Sequence, residues 1–166
     1  MSALRFVSLV VLALWVGGLA ALGGLAAPTL FAFLAGADPA GGRNLAGAVF
    51  GRMVATAQPV VWALGATLLI MWGVRAALGP RPRWLALRVW AVVAMLGMSI
   101  VTAVVLAPRI DALRREVPGA VAELPAQDPR RVEFGRLHGL STAFMLACIA
   151  GGLGLIWCET KDGERA

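Results

Sequence analysis

The chain has 166 residues, of which 60% are hydrophobic and 14% charged, and a formal net charge of +6; its mean hydropathy is +0.81. An average globular chain is about half apolar and about a quarter charged, so this composition excludes an ordinary soluble domain, and the long apolar runs exclude disorder. A basic balance can signal nucleic acid, but these arginines flank apolar runs and do not cluster on one polar face, which fits a bilayer and its anionic headgroups and no nucleic acid.

The first apolar run covers residues 6–34. Arg5 before it and the small pair Ala26-Ala27 within it resemble a secretory signal. The run is longer than a signal core, however, and Pro28 obstructs cleavage after Ala27, so a retained helix is expected, bent near Gly23-Gly24 or Pro28. Further spans are expected at 50–74, 86–107 and 137–158, each with the roughly 20 residues that a bilayer core requires. The predicted fold is all-α, a four-transmembrane-helix bundle forming one membrane domain over residues 1–166. Between the spans lie a Gly/Pro turn at 35–44, the basic turn Gly-Pro-Arg-Pro-Arg at 79–83, and a long connection at 109–131. The start of that connection, Ile-Asp-Ala-Leu-Arg-Arg-Glu, can prolong the third helix, while Pro118, Pro125 and Pro129 mark an irregular stretch. Cys148 and Cys158 fall about 15 Å apart on one helix, which excludes a disulfide between them.

Seven basic residues lie at the end of the termini (Arg5, Arg75, Arg81, Arg83, Arg88, Lys161, Arg165) and eight at the other. The acid-free 79–83 turn and an expected interfacial belt of Trp72, Trp84 and Trp157 favour cytoplasmic termini in a bacterial-type inner membrane. Small residues at four-residue spacing (Gly17/Ala21, Ala20/Gly24, Gly23/Ala27, Ala147/Gly151, Ala150/Gly154) predict close packing of the first helix on the fourth. They also offer Gly/Ala faces for a homo-oligomer or a larger membrane complex.

The polar residues inside the spans are the candidates for function. Arg52 lies within an apolar register, with Asp111 and Glu133 as candidate partners at the same end, and Gln58 precedes Pro59, where it could satisfy backbone freed at a kink. Antiparallel connectivity brings Arg52, Arg109, Asp111, Arg136 and His138 to one membrane level, with Gln58 and Ser141 nearby. The positive excess there suits a carboxylate or a phosphate, which arginine holds bidentately. His138 is the sole histidine; a soft metal would need Met53, Met145 or Cys148 beside it. Paired membrane carboxylates, a Walker loop and a nucleophile elbow are all missing from the sequence, and Ser141 beside His138 lacks an orienting acid.

The segment Phe134-Gly-Arg136-Leu-His138-Gly139-Leu140-Ser141 resembles the signature opening the last helix of the transmembrane protein 205-like family. Pro108-Arg109 followed by Arg115-Glu116 resembles that family's third-helix exit, and Ala27-Pro28-Thr29-Leu30-Phe31 its first-helix end. The resemblance implies a four-helix membrane domain of unassigned activity. A more distant likeness, to the copper-resistance protein D and membrane protoporphyrinogen oxidase group, implies copper or haem on bundle histidines, whereas this chain has one histidine and no intramembrane lysine. No cofactor is favoured. The function expected is a membrane protein that binds or passes a small ligand at the end opposite the termini. The alternatives are an accessory subunit of a larger complex and a haem- or quinone-linked oxidoreductase.

Overall fold

Long apolar segments leave the backbone no hydrogen-bond partner but itself, and each run is accordingly helical. The computed structural model describes residues 2–39, 41–78, 83–117 and 119–163, which contain no strand. The first span is α1 (Ser2–Ala21), a five-residue π turn (Leu22–Ala26) and α2 (Ala27–Ala37). The second is α3 (Gly42–Leu78). The third is α4 (Leu85–Val101), a second π turn (Thr102–Leu106) and α5 (Ala107–Arg115), and the fourth is α6 (Pro129–Gly163). All four spans are long and apolar enough to cross a membrane, which fits a multi-pass membrane protein. The 79–82 part of the basic turn and Pro118 lie outside the described residues.

Both π turns run into Ala-Pro, at Ala27-Pro28 and Ala107-Pro108. A helical proline has no N–H and its ring presses on the carbonyl four residues back. Widening the turn relieves that contact, so the N–H of Ala27 reaches Leu22 O and that of Ala107 reaches Thr102 O. The irregularity expected near Gly23-Gly24 is thus a π turn in a continuous helix. Pro59, in contrast, is absorbed within α3.

The core fills the half of the bundle nearest the termini. Ser8, Val11, Leu12, Trp15 and Val16 are buried at helical spacing on α1, and of these Val11, Leu12 and Trp15 join Leu68 and Trp72 of α3, Val92 and Met95 of α4, and Cys148 and Leu155 of α6 in one core. The first and fourth spans do pack closely. The contact runs through Gly152, where any Cβ would collide with Val16, and through Gly23, which faces Met145. Of the expected glycines, Gly23 thus takes part in this contact, whereas Gly151 faces Met95 of α4, and Gly17, Gly24 and Gly154 face open space.

Past the π turns the bundle divides into two hairpins. There α2 packs chiefly on α3, and α5 on α6. At the end of the third span and along the long connection, Ile110, Leu113, Val117, Ala120 and Val121 are buried.

Candidate functional site

The two ends of the bundle handle charge differently. At the end of the termini, α3, α4 and α6 converge on Glu159, which is fully buried. Arg75 Nη1 donates to both Glu159 oxygens at 2.9 Å, Arg88 Nη1 donates to Oε1 at 2.9 Å, and the Trp72 indole N–H to Oε1 at 2.8 Å. Arg88 Nη2 also donates to the Cys158 carbonyl and to Asp162 Oδ2, each at 2.9 Å. Two guanidiniums and two carboxylates thus cancel inside the protein. The Nε atoms of Arg75 and Arg88 are buried without a partner, so the network is neutral but not saturated. Trp72 is therefore no part of an interfacial belt: its N–H is drawn inward by Glu159, leaving Trp84 and Trp157 exposed at that end.

Those two tryptophans mark a candidate interface level. The spans contain 35, 37, 31 and 34 residues, about 47–56 Å at 1.5 Å per residue, against a hydrocarbon core of about 30 Å. Counted about twenty residues from Trp157 and from Trp84, the opposite boundary would fall near Leu137 on α6 and Val104 on α4, with Pro108-Arg109 one turn beyond. Arg52 lies twenty residues before Trp72, which is level with Glu159 through their hydrogen bond. The overshoot forms a helical crown beyond that boundary.

At this end the charges stay near the surface. Arg109 Nε donates to Glu133 Oε1 at 2.8 Å across the α5–α6 hairpin, both side chains being well exposed. Asp111 pairs with Arg115 one turn on, at 2.9 Å. The two acids named as partners for Arg52 are thus held by other arginines of their own hairpin, and Arg52 and Arg136 are exposed. Gln58 does not serve the backbone at Pro59: its Oε1 accepts from Ser99 Oγ at 2.6 Å, and Ser99 Oγ accepts from the Trp62 indole at 3.2 Å, a polar tie between α3 and α4. Ser141 and Thr142 donate to the His138 carbonyl, and the imidazole stacks on Phe134 at 5.9 Å with a 3° tilt.

The residue that joins the hairpins is Arg114. It is half-buried; its Nη1 donates to the Gly47 carbonyl of α3 at 2.6 Å, and its Cζ lies 5.6 Å from the Phe134 ring centroid on α6. Gly47 is needed for this approach, since a Cβ there would sit 2.7 Å from the guanidinium. Among the described residues Arg114 meets no carboxylate within ion-pair distance. Sequence reading counted it only as a flanking charge. The available signal was Gly47 and Gly51, one helical turn apart on the face that receives it.

For a metal the donors are dispersed. Met53 lines an apolar groove, Met145 faces Gly23, and Cys148 Sγ points to the Met95 carbonyl. Among the described residues no three His, Cys, Asp or Glu side chains gather.

No curated protein and no solved structure matches the chain. A family model does, over residues 10–118, from the middle of α1 through α5, leaving α6 and its Phe134–Ser141 segment outside the match. The chain belongs to the DUF4149 family, a domain of unknown function.

Proposed function

We propose that this protein is a non-enzymatic integral membrane protein that binds a small anionic ligand, a carboxylate or a phosphate, at the end opposite its termini. Arg114 carries the reading: a half-buried guanidinium held by a carbonyl and an aromatic face, with no carboxylate in ion-pair contact and Asp111 acting on it only from a longer distance. Arg52, Arg109, Arg136 and His138 lie at the membrane level just below it, and Gln58 and Ser141 deeper. The affinity to the transmembrane protein 205-like family belongs to the same proposal and rests on Phe134–Ser141. The test is thermal unfolding of purified protein in inorganic phosphate against chloride at equal ionic strength. Phosphate is expected to raise the midpoint of the wild type and not of Arg114→Gln; equal midpoints in both salts refute the reading.

Both termini are placed in the cytoplasm on the strength of the acid-free turn at residues 79–83. One observation favours the reverse orientation. Seven basic residues at the end of the termini stand against eight at the other, the balance by which the reverse orientation would hold. Thiol labelling of Pro82→Cys and Gln127→Cys in intact cells decides between them, with Gln127→Cys alone reacting if the termini are cytoplasmic. An accessory-subunit role is favoured by the outward-facing Gly17, Gly24 and Gly154, and co-purification in mild detergent tests it.

A further inference from the structure

We infer that the groove beside the first π turn holds one anionic membrane lipid, its acyl chain along the first span and its headgroup on Arg52. The groove, of about 560 Å³, is lined by Ala21, Leu25, Ala26, Thr29, Leu30, Phe33 and Met53. Its wall is the π turn itself and the first two turns of α2. The wall is apolar apart from one threonine hydroxyl and runs about 18 Å along the helix axis from Ala21 to Phe33. Leu25 and Phe33 are 70% and 73% exposed, so the groove opens sideways to the bilayer and not into the core.

Charge selects the occupant. The groove straddles the boundary level, and Arg52 sits there on the same turn of α3 as Met53, exposed and with no carboxylate within ion-pair distance among the described residues. The apolar part of the wall from Ala21 to Ala26 lies on the hydrocarbon side of an exposed guanidinium, which matches an amphiphile with a phosphate head that arginine grips with two parallel hydrogen bonds. A second copy of the chain fits less well: a two-fold contact here would bring the Arg52 of each copy toward the other, and like charges oppose it. The inference rests on the anion-binding reading for the sign of the ligand's charge, and it names the ligand class as lipid.

The experiment is native mass spectrometry of the full chain in detergent, with dioleoyl phosphatidylglycerol and dioleoyl phosphatidylcholine as probes. Wild type is expected to retain phosphatidylglycerol about fivefold over phosphatidylcholine, the effect of one arginine near an anionic surface. Arg52→Gln, a surface change that spares the core, should remove that preference, and Ala26→Trp, which fills the groove, should reduce both lipids. Equal retention of the two lipids by wild type overturns the lipid inference. If phosphate still protects the protein in that case, the anion-binding reading stands by itself. Unchanged lipid binding in Ala26→Trp, or a dimer that this variant dissociates, overturns the inference as well.

Discussion

The two ends of this bundle carry arginines and carboxylates in similar chemistry and in opposite settings. Near the termini, Arg75, Arg88, Glu159 and Asp162 lie inside a packed core and neutralise one another across three helices. At the other end, Arg109–Glu133 and Asp111–Arg115 lie on the surface, each within one hairpin, and the four helices have parted into two pairs. The difference is one of solvent. A buried charge cannot do without its partner, because no water replaces it; an exposed one loses little. The first end is therefore a clamp that fixes how α3, α4 and α6 meet. The second, whose pairs are exposed, imposes no such constraint.

The largest expected effect tests that contrast directly. Glu159→Ala strands two buried guanidiniums and the Trp72 N–H, and should destabilise the protein by about 3–5 kcal/mol. Asp162→Ala should cost less, since Arg88 keeps Glu159 and the Cys158 carbonyl. Glu133→Ala at the open end should unfold together with wild type in a detergent melting series. Equal losses from Glu159→Ala and Glu133→Ala would show that the clamp is no clamp.

A smaller effect separates packed from open glycines. Gly152→Leu would drive a side chain into Val16 and cost about 1–3 kcal/mol, the usual range for overpacking. Gly24→Leu meets open space and should leave stability unchanged. Detergent melting of both variants sharpens the boundary between the halves. A destabilised Gly24→Leu would place a protein surface on that face.

The four spans were legible because hydrophobic length is a one-dimensional property, and so was the helical extension through Arg115. The clamp was not read, because Arg75 and Arg88 stand three residues from helix ends, where an arginine by default reaches for headgroups. Glu159 looks like the start of a polar tail. Spacing held the missing signal: Glu159 follows the buried Cys148, Gly152 and Leu155 at intervals of four, three and four, so it continues the core face of α6. Arg88 precedes Val92 and Met95 on the core face of α4 in the same way. At the open end, antiparallel connectivity put Arg52, Arg109, Arg136 and His138 toward one end of the bundle, but the pairings of Arg109 and Asp111 could not be read from it. Those depend on which hairpin each acid belongs to, and connectivity alone does not set how far the hairpins separate.

The smallest expected effect belongs to the start of α6, where the open end is tied down. Asp128 precedes Pro129 and caps the helix: its Oδ1 accepts from the Arg130 backbone N–H at 2.8 Å, and its carboxylate also accepts from the Arg130 guanidinium. The side-chain hydrogen bond from Arg130, with the backbone one behind it, holds this carboxyl below its usual range. A carboxylate favoured in the folded state contributes stability that is complete above the unfolded pKa, about 3.9, and is lost as pH falls through the lower folded value. Asn at this position keeps a cap and loses the charge. The melting difference between wild type and Asp128→Asn should therefore stay constant from neutral pH to about pH 5 and close below about pH 4. The Glu159 clamp is buried and spans three helices, so its loss should lower the melting point at every pH in that range. A difference for Asp128→Asn that persists unchanged into acid would mean that it does not come from the carboxylate's charge, and no difference at any pH would mean that Pro129 and the backbone alone hold the helix start.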